Sequence, residues 1–110
     1  MKTAELIGPA LDWAVAWANG NITIKNFSGV FYLLDGDVWN PSTDWAQGGP
    51  IIEREGISLD QYHDFPNWAA SCPPESGFKW FGPTPLIAAM RCYVAAVLGD
   101  TIDIPEELTE

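Results

Sequence analysis

A chain of 110 residues, 47% of them hydrophobic, is one domain long enough to bury a core. Its formal charge of −10, from 15 acidic against 5 basic side chains, argues against gripping duplex nucleic acid through its phosphates, which needs a cationic surface. Two isolated cysteines and one histidine make neither a disulfide framework nor a Cys/His zinc site, and no apolar run is long enough to span a bilayer.

The opening MKTAELIGPAL has one Lys followed by an acid and does not read as a signal peptide. Reduced thiols in a cytosol are expected, so the sequons at Asn21 and Asn26 are coincidental. Pro9 to Asn19 predicts a first helix, begun by Pro9 and ended by Gly20. Leu11, Val15 and Ala18 make one stripe; Trp13 and Trp17, spaced i, i+4, make a second. The indoles suit the core, or one of them suits a subunit or ligand surface.

Asn21 to Phe27 alternates as a half-buried strand, and Val30 to Leu34 is a short continuous apolar run, a buried strand. Asp35-Gly36-Asp37 is a turn; the remaining ligand spacing of a calcium loop is absent. Asn40 to Gly56 has little periodicity and gathers Pro41, Gly48, Gly49 and Pro50 around Trp45. It reads as a loop, functional or structural, with one short helical turn at Ile51 to Glu55.

Ile57 to Tyr62 predicts a strand with Ile57 and Leu59 inward. His63 to Asn67 turns, Trp68 to Cys72 is a further strand, and Pro73 to Lys79 is a loop. Phe78, Trp80 and Phe81 then lead into a helix marked at both ends, by Thr84 and Pro85 at its start and Gly99 at its finish. Leu86, Met90, Tyr93, Val94 and Val97 form a wide stripe, while Ala88, Ala95, Ala96 and Cys92 make the other side small. Such a helix packs on a sheet with one face and on a helix or second subunit with the other. Ile102, Ile104 and Pro105 lay the following segment back on the body, although its acids suit a solvated tail. The expected fold is α+β: a small antiparallel sheet with the N-terminal and C-terminal helices packed on one face. Residues 1–99 form the domain and 100–110 an acidic tail.

Two blocks, PSTDWAQGGPIIERE (Pro41 to Glu55) and GPTPLIAAMRCYVA (Gly82 to Ala95), with KTAEL near the start and GD…IPEEL at the end, resemble the phage NinX family. Asp60 to Phe81 and Trp17 to Trp39 depart from it and are peculiar to this sequence. The resemblance implies an origin in tailed phages and prophages of enteric bacteria. It implies an accessory role in the bacterial cytoplasm during infection, rather than a particular reaction.

Arg54 and Arg91 are the only arginines. In so acidic a chain each is a candidate anion ligand, or else the partner of a nearby acid such as Asp44, Glu53 or Glu55. Trp45, Trp80, Phe78 and Tyr62 lie in or beside loops and suit either base stacking or the core. Gly48 and Gly49 offer backbone N–H groups. The expected ligand-binding residues are Asp44, Trp45, Gln47, Gly48, Gly49, Arg54, Trp80, Thr84 and Arg91, with Trp45 and the glycine pair facing Arg91 across a hollow. No pattern of nucleophile, base and orienting group is visible, and neither a metal nor a cofactor is expected.

The leading expectation is a protein that sequesters a small nucleotide-like host immune signal in an aromatic and arginine pocket, as a homo-oligomer. The alternative is an acidic interaction protein that blocks a host protein or mimics nucleic acid.

Overall fold

A computed structural model of the protein describes residues 1–20, 24–27, 30–33, 38–61, 68–71 and 79–104. The turns expected at Asp35 to Asp37 and His63 to Asn67 lie outside those residues. So do Tyr62, Cys72, most of the Pro73 to Lys79 loop with Phe78, and the tail from Pro105.

Helix α3, Pro85–Leu98, organises the molecule. Thr84 is extended and its Oγ1 accepts the Ile87 N–H at 3.1 Å, Pro85 occupies the first turn, and Gly99, at φ 96°, ends the helix. Leu86 to Met90 and Cys92 to Val94 are all buried, so the helix has neighbours on more than one side. On one side lies a three-stranded antiparallel sheet of β3 (Ser58–Gln61), β4 (Trp68–Ser71) and β5 (Trp80–Gly82), in that order. Register pairs Leu59 with Ala70 and Ala70 with Trp80, and all three side chains join the core under α3. On other sides α3 packs against α1 (Gly8–Ala18) and α2 (Trp45–Glu55). Strands β1 (Ile24–Phe27) and β2 (Val30–Leu33) form a separate antiparallel pair, with Ile24 opposite Leu33 and β2 alongside α1. This is the expected α+β arrangement.

Two elements differ from the sequence reading. Trp80 to Gly82 is a strand rather than a lead-in, and Gly82 explains the tight return into α3. A Cβ there would lie 2.8 Å from the Ala88 backbone N and 3.0 Å from Ile87 Cγ2. The second is α2, where a loop is expected. Its sequence holds two glycines and an internal proline, all poor helix formers. Its ends and one face decide otherwise. Asp44 Oδ1 accepts the Ala46 N–H at 2.9 Å. Gly56 takes the left-handed conformation (φ 66°, ψ 37°), and the Ile57 N–H then reaches the Ile52 carbonyl at 3.1 Å, closing the C-terminus. Gly48 is buried so closely that a Cβ would stand 2.5 Å from the Pro41 carbonyl oxygen and 2.6 Å from Leu86 Cδ2. Tertiary contact thus overrides weak local propensity. Gly48 meets Leu86, and Arg54 meets Tyr93, so α2 runs alongside α3 in the same direction.

The approach to α2 is pinned by α1. Asp12 is buried, its Oδ1 accepts the Ser42 N–H at 2.9 Å, and its carbonyl accepts the Trp39 indole N–H at 2.9 Å. The Ser42 hydroxyl, also buried, reaches hydrogen-bond geometry with no described residue. Burial pushes the Asp12 carboxyl above its ordinary pKa, and Ser42 beside it pulls the value only part of the way back.

Residues at the two ends of the described chain are tied together. The Thr3 N–H donates to the Asp100 carbonyl at 2.9 Å, the Ile102 N–H to the Met1 carbonyl at 2.9 Å, and the Thr3 hydroxyl to the Gly99 carbonyl at 2.8 Å. Ile102 and Ile104 pack on the core, as expected for the start of the tail.

Urea denaturation, run across pH for Asp12, tests this packing at three residues. Gly48→Ala loses about 1–3 kcal/mol despite the better helix former. Gly49→Ala, whose new Cβ would meet nothing nearer than Trp45 Cε3 at 3.9 Å, gains about 0.5–1 kcal/mol. Because its folded pKa is raised, Asp12 favours the fold most below the ordinary carboxyl pKa, and that contribution is lost as pH rises through the raised value. Asp12→Asn keeps an acceptor for Ser42 without a buried charge, so its stability relative to wild type improves as pH rises across that window. Asp12→Ala leaves the Ser42 N–H unpaired and loses about 1–3 kcal/mol below the ordinary carboxyl pKa, a loss that narrows across the same window.

Candidate functional site

Most of the expected ligand-binding residues hold the fold. Asp44 caps α2 and Thr84 caps α3. The Gln47 side chain clamps the preceding turn, its Oε1 accepting the Asn40 N–H at 2.7 Å and its amide donating to the Val38 carbonyl. Gly48 is the contact point of α2 with Pro41 and Leu86. Trp80 is partly buried against the core. Gly49 and Trp45 are less constrained, and Trp45 is 53% exposed on the first turn of α2.

The two arginines lie on different sides of α3. Arg54, near the end of α2, donates from Nε to Glu55 Oε2 at 2.8 Å, and from Nη2 to Asn19 Oδ1 at 2.9 Å and to the Tyr93 hydroxyl at 3.2 Å. Its guanidinium also stands 5.8 Å from the centre of the Tyr93 ring. The side chain remains half exposed. Hydrogen bonding to Glu55 raises the Arg54 pKa further, while burial raises that of Tyr93 and the nearby guanidinium opposes it. Of the two roles open to Arg54 from sequence, the ion pair with Glu55 is present in the structure. Tyr93 reads from sequence as core stripe; its hydroxyl, the polar end of an otherwise apolar side chain, and Asn19, at the C-cap of α1, are the partners that the sequence does not reveal.

Arg91 projects from the strand side of α3. Its Nε donates to the Leu6 carbonyl at 2.8 Å and its Nη1 to the Phe81 carbonyl at 2.7 Å. It is half buried, and desolvation lowers its pKa. Five residues on from Leu86, it leaves the helix about 140° around the axis from the side chain that touches Gly48. The structure therefore brings Gly48 to Leu86 and Arg91 to Leu6 and Phe81, and does not set Arg91 opposite the glycine pair.

Trp17 is a second exposed indole. It stacks on Trp13, ring centres 5.7 Å apart and planes within 8°, and is itself 51% exposed, while Trp13 packs on the core. The i, i+4 spacing in sequence is the signal for this pair. What the described residues offer is binding chemistry: two exposed indoles, at Trp17 and Trp45, and a half-exposed guanidinium at Arg54 held near the α1 terminus.

A family model described as Bacteriophage P22, NinX matches residues 2–96. A comparison with curated proteins finds no match.

Proposed function

The chain belongs to the bacteriophage P22 NinX family, and from that premise we propose that it acts by binding, docking exposed tryptophans of an acidic body onto a basic surface of a host protein. The observation that carries this reading is the exposure of Trp17 and Trp45, 51% and 53%, on a chain of net charge −10. Tryptophan contributes more to protein interfaces than most residues, because a large rigid apolar ring is removed from water at little entropic cost. Two solvent-exposed indoles on a small domain are where such contact area is available. The surrounding negative charge speeds encounter with a cationic partner and repels anionic ones. The setting proposed is the cytoplasm of an infected bacterium. No helix among the described residues is long and apolar enough to cross a membrane.

One observation favours the second reading, sequestration of a nucleotide-like host signal. Trp17 presents an open indole backed by Trp13, and Arg54 is anchored on Asn19, two residues further along the chain. A base stacked on Trp17 with its phosphate on Arg54 uses both groups. A second copy of the chain would then cover the base. Glu55, bonded to the same guanidinium, opposes an anion there and ranks this reading second.

The test is affinity purification of the tagged protein from phage-infected cells, followed by binding measurements with the purified partner. A basic host protein held stoichiometrically is expected, with Trp17→Ala and Trp45→Ala each weakening it at least about tenfold and salt slowing its association. Variants that bind like wild type overturn the docking reading. A nucleotide that raises the melting temperature of wild type, but not of Trp17→Ala or Arg54→Gln, establishes the second in its place.

A further inference from the structure

We infer that Arg91 is the centre of a binding site for a carboxylate attached to an apolar body, on the opposite side of α3 from Gly48 and independent of the exposed indoles. Three observations carry it. First, the guanidinium is held still: Nε and Nη1 donate to the Leu6 and Phe81 carbonyls at 2.8 and 2.7 Å. The entropy of ordering a long side chain has therefore already been spent in the free protein. Second, its charge is not balanced. Backbone carbonyls satisfy donors without neutralising a cation, and no carboxylate of a described residue lies within ion-pair distance of it. In a chain with 15 acids, a half-buried arginine without one is the unusual case, and desolvation already lowers its pKa. A guanidinium has five N–H donors, and the Nη2 amino group donates to no described residue, so donors remain to meet a carboxylate.

Third, the Leu6 carbonyl that grips it leads directly into an exposed apolar side chain, Ile7, which is 53% exposed. A ligand with its carboxylate on Nη2 thus has apolar surface beside it at Ile7. This combination selects a hydrophobic acid over a bare anion. Phosphate would take the charge and waste the apolar surface, and a neutral apolar group would leave the donors unmet. The chemistry is shared by a free short-chain acid and by the C-terminal carboxylate of a peptide ending in an apolar residue.

The test uses the intact protein and its Arg Nε–H signals in NMR spectra. Arg54 and Arg91 are the only arginines, so the signal missing in Arg91→Lys identifies Arg91. The probes are acetate, hexanoate, inorganic phosphate, and an acetylated tripeptide ending in leucine with either a free or an amidated C-terminus. Expected is a saturable shift of the Arg91 signal by hexanoate, by the free-acid peptide, or by both. The better of these binds at least about tenfold more tightly than acetate, as burial of several methylenes requires. A response to hexanoate assigns a small free acid as sufficient; a response to the free-acid peptide alone assigns a peptide terminus. Ile7→Ser, which leaves the Leu6 carbonyl in place, is expected to weaken the preferred probe about threefold or more and leave acetate unchanged. The inference is overturned if no carboxylate moves the Arg91 signal, if phosphate or acetate binds as tightly as the preferred probe, or if the amidated peptide binds as well as the free acid.

Discussion

The three-stranded sheet, α1 and α2 are all packed around a helix whose first turns have almost no solvent face. From Leu86 to Val94 only Arg91 is less than fully buried, so α3 must be covered on several sides at once. Strands β3 to β5 take one side, and α1 and α2 take others. Small residues make this possible. Ala88 and Ala89 are wholly buried, and their short side chains let neighbours approach the helix axis. Gly82 and Gly48 extend the same device to the partners, allowing β5 and α2 to approach closer than any side chain permits.

That constraint explains where polar chemistry went. In a chain with few cations, both arginines work as ties between elements. Arg54 links α2 to the end of α1 and to Tyr93 on α3; Arg91 links α3 to the segment before α1 and to β5. Asp12 does the same with the opposite charge, joining α1 to the turn that delivers α2. Each tie is specific in geometry. Arg91 and Asp12 additionally carry the cost of desolvating a charge.

Elements with local signals were legible in the sequence. The cap at Thr84, the helix end at Gly99, the stripe residues Leu86, Met90, Tyr93 and Val94 of α3 and the inward pair Ile57 and Leu59 appear as read, whereas Val97 of that stripe is exposed. The helix at Trp45 to Glu55 was not, because its cause is not local. Its glycines and proline speak for a loop, and only the contact of Gly48 with Pro41 and Leu86 shows why glycine is needed inside a helix. The same limit applies to the site. Residue type marked Asp44, Gln47, Thr84 and Arg91 as available chemistry, whereas three of them turned out to cap or clamp backbone and the fourth to grip two carbonyls. A polar side chain beside a turn looks the same in sequence whether its partner is a ligand or the chain's own amide. The paired indoles of α1 were the better guide, since their spacing places them side by side and exposure then separates Trp17 from Trp13.

The hold of Arg91 on the Phe81 carbonyl reaches beyond ligand chemistry. Strand β5 is an outer strand of its sheet among the described residues, and an outer strand is a template on which a strand from another molecule can assemble. A bulky cation fixed on that margin by the protein's own helix occupies an acceptor that an incoming strand would need, and sets a positive charge in its path. Fibre-like growth of the sheet is thereby discouraged on the β5 side, leaving Ser58 to Gln61 as the more permissive margin for self-association during folding.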